Sequence, residues 1–336
     1  MSIKLIAYKL ALDYARSNPP PIASGVFMLA TTVPETDKTG VMDNKVDDFN
    51  LSFIVAGFSK CGTTSLCTML AQHPQVAFSN PKEPLFFIRD DFEKHWDIYH
   101  SVFPPPDANR FFGEGSTFYS GYQFEQKTRD AILKHFPDIK LIFVARDPFE
   151  RIESSYREFH HSAPMFGFDT PYGIANALGT LPALLEDSKY WARISCYREK
   201  ISDDRILVLF LEDLKRDPVG ELKRCFNHLG VDSNIQHDLL AHKNAGERKY
   251  YDSKLLRRLR NTEIIGPLIS KIPVHTQNQW FPKLKLRRKF IGPIEWDTDS
   301  KRRIVESLEQ DIYQFLKFYG KPHDYWRRFA NECGLV

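Results

Sequence analysis

An apolar run, F-I-V-A-G from Phe53 to Gly57, leads directly into F-S-K-C-G-T-T-S-L, a turn of glycines and hydroxyls from Phe58 to Leu66 that carries one lysine. The run reads as a buried strand, and from Thr63 onward Leu66, Met69 and Leu70 resume apolar residues at helical spacing. The turn therefore opens a helix. At a helix start the first N–H groups are unpaired, and together with the aligned peptide dipoles they favour an anion. Lys60, Thr63, Thr64 and Ser65 add side-chain donors, so the segment reads as a phosphate cradle.

The nucleoside-triphosphate loop G-x-x-x-x-G-K-[ST] places its lysine after the second glycine and its hydroxyl on magnesium. Gly57 and Gly62 keep the glycine spacing here, but Thr63 takes the lysine position and Lys60 lies three residues upstream of it. The next strongly apolar strand, Leu141 to Ala145, ends in Arg146, where a triphosphate enzyme commonly has a metal-binding aspartate. Arginine binds phosphate and not magnesium. A helix is expected to begin near Pro148, and Ser154 follows Arg146 by eight residues, so one ligand would lie along that helix. Two phosphate grips without a metal site point to a nucleotide phosphorylated at two positions.

With these motifs the chain resembles the sulfotransferase superfamily that uses 3′-phosphoadenosine 5′-phosphosulfate (PAPS), and within it the glycan-modifying branch typified by heparan sulfate sulfotransferases. The similarity runs from about Asp48 to the end and includes K-E-P-L-F-F at Lys82–Phe87, G-E-G-S-T-F-Y at Gly113–Tyr119 and L-x-L-F-L-E-D-L at Leu207–Leu214. The resemblance implies that K-x-G-T-T-S holds the 5′-phosphosulfate through Lys60, Gly62, Thr63, Thr64 and Ser65, with Cys61 inside the same cofactor segment. It likewise implies that Arg146 and Ser154 hold the 3′-phosphate, and that a late loop closes over the nucleotide, making Lys243, Asn244 and Arg248 candidates. The product would be 3′-phosphoadenosine 5′-phosphate (PAP), and no metal is needed.

An acceptor hydroxyl gains from a positioned general base, and Glu83, just past a short strand at Gln75–Phe78, is the candidate. Leu85, Phe86 and Phe87 are expected to raise its pKa by partial desolvation. The matching glutamate is the base in the family. Lys60 would neutralise charge on the departing 5′-phosphate. Lys82 either shares that task or depresses the Glu83 pKa; Glu114 either touches substrate or buttresses the cradle, with the structural role favoured. The soluble small-molecule branch uses a histidine between its two cofactor motifs. His160 and His161 come after the second, and His73, His95, His100 and His135 lack that histidine's surroundings.

The expected fold is α/β: a P-loop-like doubly wound parallel sheet flanked by helices, in one catalytic domain over 48–336. Helices are expected at Phe124–Phe136, Ser188–Lys200, Pro218–Leu229 and Ser300–Tyr319, a strand at Ile206–Leu211, and loops at His242–Tyr251 and Pro273–Trp296. Acceptor recognition is expected from Ser162–Thr180 and Gln277–Lys289.

The formal charge is +3, too balanced for a polyanion-binding surface over the whole molecule, and no nucleic-acid partner is expected. Lys254–Arg260 and Lys283–Lys289 are local basic clusters that would guide an anionic polymer if exposed. Cys61, Cys67, Cys196, Cys225 and Cys333 show neither a disulfide framework nor zinc-ligand spacing and suit a reducing compartment, with Cys61 a candidate for oxidation. Residues 1–47 form an extension: an amphipathic helix with Ile3, Ile6, Leu10 and Tyr14 on one face, then a polar linker. Packing of this extension on the domain is preferred to weak membrane attachment, and Ile22–Val33 is too short to span a bilayer. Animal glycan sulfotransferases of this type are usually Golgi-anchored by an N-terminal transmembrane helix, which this sequence lacks, so a cytoplasmic, bacterial-type enzyme is expected.

The leading reading is transfer of a sulfuryl group to a glycan hydroxyl. A lipid or small-molecule alcohol is the alternative acceptor, a P-loop kinase a more distant possibility, and a non-catalytic binding module would be expected to lack Glu83.

Overall fold

The computed structural model describes residues 49–105, 110–162, 170–234, 249–290 and 292–335. The proposed 1–47 extension therefore lies outside the described residues.

Five parallel strands form the central sheet in the order β2-β3-β1-β4-β5: β1 (Leu51–Gly57), β2 (Val76–Phe78), β3 (Phe111–Glu114), β4 (Lys140–Ala145) and β5 (Ile206–Phe210). β1 and β4 read as continuous apolar runs because both faces are covered, and Phe53, Val55, Leu141 and Val144 have no measurable exposure. From β1 the chain runs out to the edge strand β2, whereas from β4 it runs out to the opposite edge at β5. The β1–β4 boundary is thus the switch point, where the carboxyl ends of strands open a crevice.

Helix α1 (Thr63–Leu70) follows β1, α2 (Glu125–His135) precedes β4, and α3 (Pro148–Ser162) follows it. Helix α4 (Tyr190–Arg198) falls within the expected span. The strand expected over Ile206–Leu211 stops at Phe210, and Leu211–Arg216 turns into a short helix, α5, that the sequence reading did not separate. Helix α6 (Pro218–Leu229) has the sequence signals of both ends: Asp217 accepts from the Gly220 N–H at 2.9 Å, Pro218 is the first helical residue, and Gly230 adopts φ 85°.

Beyond residue 249 a smaller unit leans on α3. Strand β6 (Tyr250–Asp252) pairs antiparallel with β7 (Arg287–Lys289), and helices α7 (Lys254–Arg260), α8 (Ile265–Lys271) and α9 (Val274–Trp280) lie between them. The loop expected over Pro273–Trp296 is corrected: it contains α9 and β7. β7 reads R-R-K and has no apolar alternation to announce it. It is held by a long-range ion cluster in which buried Asp252 receives Arg260 at 2.7 Å and Arg287 at 2.9 Å. Leu256, Ile269 and Phe281 form this unit's small core. Helix α10 (Thr298–Phe318) then returns to the main core through Ile304, Leu308, Ile312, Phe315 and Leu316, and α11 (Arg327–Glu332) follows. Among the described residues no helix is long and apolar enough to cross a membrane.

Candidate functional site

The turn after β1 is tied to the sheet by the Phe58 N–H, which donates to the Val144 carbonyl at 3.0 Å. Lys60 sits at φ 68° and Gly62 at φ 90°, a left-handed pair that reverses the chain within a few residues. At Gly62 any Cβ would meet Leu211 Cδ1 at 2.6 Å. The Leu66 N–H donates to the Gly62 carbonyl at 3.2 Å as the first bond of α1, so the N–H groups of Gly62, Thr63, Thr64 and Ser65 have no preceding helical carbonyl. No acidic residue stands in this first turn. Thr63 is buried, Ser65 half-buried and Thr64 exposed.

Cys61 is fully enclosed, with Sγ 3.6 Å from the Tyr190 hydroxyl, and burial pushes its thiol up to about 11. The expectation of an oxidation-sensitive Cys61 is therefore corrected, since oxidation follows accessible thiolate. All five cysteines are free, and all but Cys333 are buried.

The second grip begins where β4 ends. Asp147 caps α3: its Oδ1 accepts from the Phe149 N–H at 2.9 Å, while Oδ2 takes the Phe329 N–H at 3.2 Å and so docks α11. Burial pushes the Asp147 carboxyl up to about 6. The Arg146 guanidinium donates to Glu150 Oε2 at 2.7 Å and to the Lys60 carbonyl at 3.4 Å, so the two sequence motifs meet in space. Tyr190 donates to the Arg146 carbonyl at 2.7 Å.

Glu150, Ser154 and Glu158 recur every four residues and form one stripe of α3. Glu150 holds Arg146, and Glu158 Oε2 receives Lys60 Nζ at 2.7 Å and Lys249 Nζ at 2.7 Å. Half-buried Ser154 lies on that stripe between the two ion pairs. Burial alone would raise the Glu158 carboxyl, but the Lys60 and Lys249 charges hold it well below the usual range. Burial lowers Lys249 to about 8 against the pull of Glu158.

Several of these participants escaped the sequence reading. Arg151, fully buried, donates to the Ser59 carbonyl at 3.2 Å, the Leu184 carbonyl at 3.2 Å and Ser188 Oγ at 2.8 Å, pinning the cradle from behind. It is the second arginine of the R-x-P-x-x-R motif, so a signal existed. Glu158, Lys249 and Tyr190 had no comparable signal. Lys243, Asn244 and Arg248 lie outside the described residues.

Glu83 stands at the edge of the same crevice. Lys82 Nζ bridges the two halves, 2.8 Å from Glu83 Oε1 and 3.3 Å from Thr63 Oγ1, and Thr117 Oγ1 donates to Glu83 Oε2 at 3.3 Å. The expected apolar surroundings are corrected: Leu85, Phe86 and Phe87 turn into the core, and Lys82 and Thr117 meet the carboxylate. Glu114 is wholly buried beneath this layer and accepts from Tyr99 at 2.7 Å, Tyr119 at 3.0 Å and Ser116. These bonds direct it into the scaffold.

Burial pushes the Glu114 carboxyl up from 4.5 to about 7, although the three hydroxyls oppose the shift. The folded state therefore binds this proton more tightly than the unfolded chain, and the contribution to stability falls as pH rises from 4.5 towards 7. We expect urea unfolding free energy to decline across that interval more steeply in the parent than in Glu114→Gln, by up to ~1.4 kcal/mol per pH unit. Parallel pH profiles would refute the assignment.

His160 is no base candidate. It is buried, its Nδ1 accepts from Arg257 at 2.9 Å, and burial, with the Arg257 charge, lowers it to about 3. The basic clusters are only partly surface: Arg257 and Arg287 are buried, whereas Lys283, Lys285, Arg288 and Lys289 are exposed. A cavity of about 630 Å³ lies beside α3, walled by Tyr156, Tyr172, Tyr251 and Phe290 and rimmed by Lys285 and Arg288. It draws on both segments expected to recognise an acceptor, and no residue of the turn from Phe58 to Ser65 lines it.

The profile of the sulfotransferase family matches residues 98–234. Membrane-associated sulfotransferase kil1 of Dictyostelium discoideum is 32% identical over 111 residues, covering 31% of this chain and 22% of that protein. Bifunctional heparan sulfate N-deacetylase/N-sulfotransferase 3 of Homo sapiens is 25% identical over 217 residues, covering 60% of this chain and 24% of that protein. The chain thus spans about a quarter of the length of these relatives. A solved sulfotransferase from Alicyclobacillus acidocaldarius shares 22% identity with a TM-score of 0.49, over 69% of this chain and 96% of that one.

Proposed function

We propose that this chain, which belongs to the sulfotransferase superfamily, transfers a sulfuryl group from PAPS to a hydroxyl of a carbohydrate acceptor. The observation that carries the reading is the meeting of the two anion grips, with Arg146 bonded to the Lys60 carbonyl and Glu150, Ser154 and Glu158 on one stripe beside them. The donor set suits a nucleotide with phosphates at two positions. It consists of helix-start N–H groups, hydroxyls, a lysine and an arginine, and the left-handed turn keeps side-chain bulk away from the backbone donors. PAPS is the reaction's donor substrate, and this reading assigns no metal to the site.

In the proposed reaction the N–H groups of Gly62–Ser65, with Thr63 and Ser65, hold the 5′-phosphosulfate, while Arg146 and Ser154 hold the 3′-phosphate. The Glu83 carboxylate takes the proton of the acceptor hydroxyl as its oxygen attacks sulfur. The sulfur–oxygen bond to the 5′-phosphate breaks in line, and Lys60 neutralises the charge that develops there. Lys82 fixes Glu83 against the cradle.

The aromatic cavity beside α3 suits the face of a sugar ring, and its cationic rim suits an acceptor that already carries an anionic group. This favours carbohydrate over an uncharged small alcohol. The five free thiols suit a reducing cytoplasmic setting, and the reading treats 48–336 as the catalytic domain.

Calorimetric titration with PAP, against ATP with magnesium, tests the donor site. We expect metal-free PAP binding that Arg146→Ala weakens by roughly ten- to a hundredfold, as loss of a charged hydrogen-bonded contact predicts. Binding of ATP with magnesium alone would make the cradle a kinase site and end the sulfuryl-transfer reading.

A further inference from the structure

The unit built on β6 and β7 has an outer surface unlike the rest of the molecule. Ile264 is 79% exposed, Leu268 59%, Trp280 51% and Leu284 63%, and Ile265 is 40% exposed beside them. Ile264 at the N-cap of α8 and Ile265, Leu268 and Lys271 within it are exposed, while Ile269 is buried in the unit's small core. Trp280 and Leu284 stand one turn apart, joined by the Leu284 N–H donating to the Trp280 carbonyl at 3.1 Å. An apolar surface of this kind in a folded protein marks a partner.

Charge identifies the partner. Between Ser253 and Lys289 the chain has one acidic residue, Glu263, whereas Lys254, Arg258, Lys271, Lys283, Lys285 and Arg288 are all exposed. Lys283 Nζ lies 4.6 Å from the Trp280 ring centroid, so an ammonium and an indole are presented together. A second copy of this face would oppose cation to cation. A polyanionic glycan would satisfy the lysines but leave Ile264, Leu268 and Leu284 in water. A bilayer with anionic headgroups takes both, because aliphatic side chains and tryptophan enter the headgroup boundary while lysines pair with phosphates.

We propose that α8, α9 and the turn at Trp280–Leu284 form a membrane-surface docking face specific for anionic lipid. The face lies on the surface of the protein and involves no spanning segment. It also lies next to the β7 rim of the aromatic cavity, so docking would hold that cavity close to acceptors carried on a membrane.

The test is co-sedimentation of the full chain with phosphatidylcholine vesicles and with phosphatidylcholine vesicles containing phosphatidylserine. The expected result is binding to the second only, weakened by salt, and reduced roughly tenfold or more when Ile264→Asp is combined with Leu268→Asp. Trp280→Ala, a separate variant, should weaken binding too. Both variants should retain the parent's melting temperature, and the Ile264→Asp/Leu268→Asp variant, outside the segments assigned to the acceptor, should also retain turnover of a soluble acceptor, which separates lost docking from lost folding. The proposal is overturned if the parent binds neither vesicle, or if the folded double variant binds as the parent does. It is also overturned if the chain binds soluble heparin but no vesicle, or if the substitutions abolish self-association while vesicle binding is absent.

Discussion

Lys60→Ala should lower turnover by about two orders of magnitude or more while leaving PAP binding much less affected, as for removal of a donor that acts on developing charge. The backbone at Lys60 is held at φ 68° inside the cradle, and Glu158 and Lys249 fix where its ammonium lies. Lys60 lies three residues before α1, and in the proposed reaction its ammonium serves the departing phosphate held at that helix start. Alanine at the same left-handed position carries a Cβ as lysine does and keeps the turn, and thermal melts beside the kinetics check that the fold is retained without the Glu158 ion pair. Near-normal turnover from a folded Lys60→Ala protein would remove Lys60 from the reaction. A Lys60→Arg protein should recover activity only in part, because the guanidinium is wider and planar where a compact ammonium is held.

Glu83→Gln should bind PAP like the parent and lose roughly a hundred- to ten-thousandfold in turnover, the range expected when a general base is removed. The amide keeps the size of the carboxylate and can still accept from Thr117 Oγ1, now 3.3 Å away, so the crevice should keep its shape. It cannot take a proton. Lys82 gives a second readout, since it lies 2.8 Å from Glu83 Oε1 and also reaches Thr63. Lys82→Met should alter the pH profile of turnover if the ion pair poises Glu83, and should lower turnover without changing that profile if Lys82 only supports the cradle. Full turnover by Glu83→Gln with intact PAP binding would require another base.

Local pattern carried most of the architecture. Phe53–Gly57, Leu141–Ala145 and Ile206–Phe210 are apolar runs bounded by turn chemistry, and buried parallel strands have no other pattern to show. The helix over Pro218–Leu229 was readable to its last residue because Asp217, Pro218 and Gly230 are local stop and start signals. The cradle was readable for the same reason, since glycines, hydroxyls and a lysine within one turn act on the backbone that carries them. The unit after residue 249 was not readable in this way. β7 is a strand because Arg287 reaches Asp252, and α9 occupies a span without clear helical signals because the Gln277 amide is enclosed by the Ile269 and Ile272 carbonyls.

Sequence could name Lys60, Arg146, Ser154 and Glu83 as candidates because each lies in a short motif whose chemistry is local. It could not say what faces them. Glu158 and Lys249 are 91 residues apart, and Arg146 and Lys60 are 86 apart, yet each pair is in contact. The Arg146–Lys60 contact exists because β1 and β4 lie side by side, and the Glu158–Lys249 contact because β6 leans on α3. The same distinction corrected the surroundings of Glu83: Leu85–Phe87 are its neighbours along the chain, but the fold turns them inward and brings Lys82 and Thr117 to the carboxylate. Bonding pattern and residue type act over a turn or two and are written in order along the chain, whereas burial and charge pairing depend on which distant segments the sheet brings together.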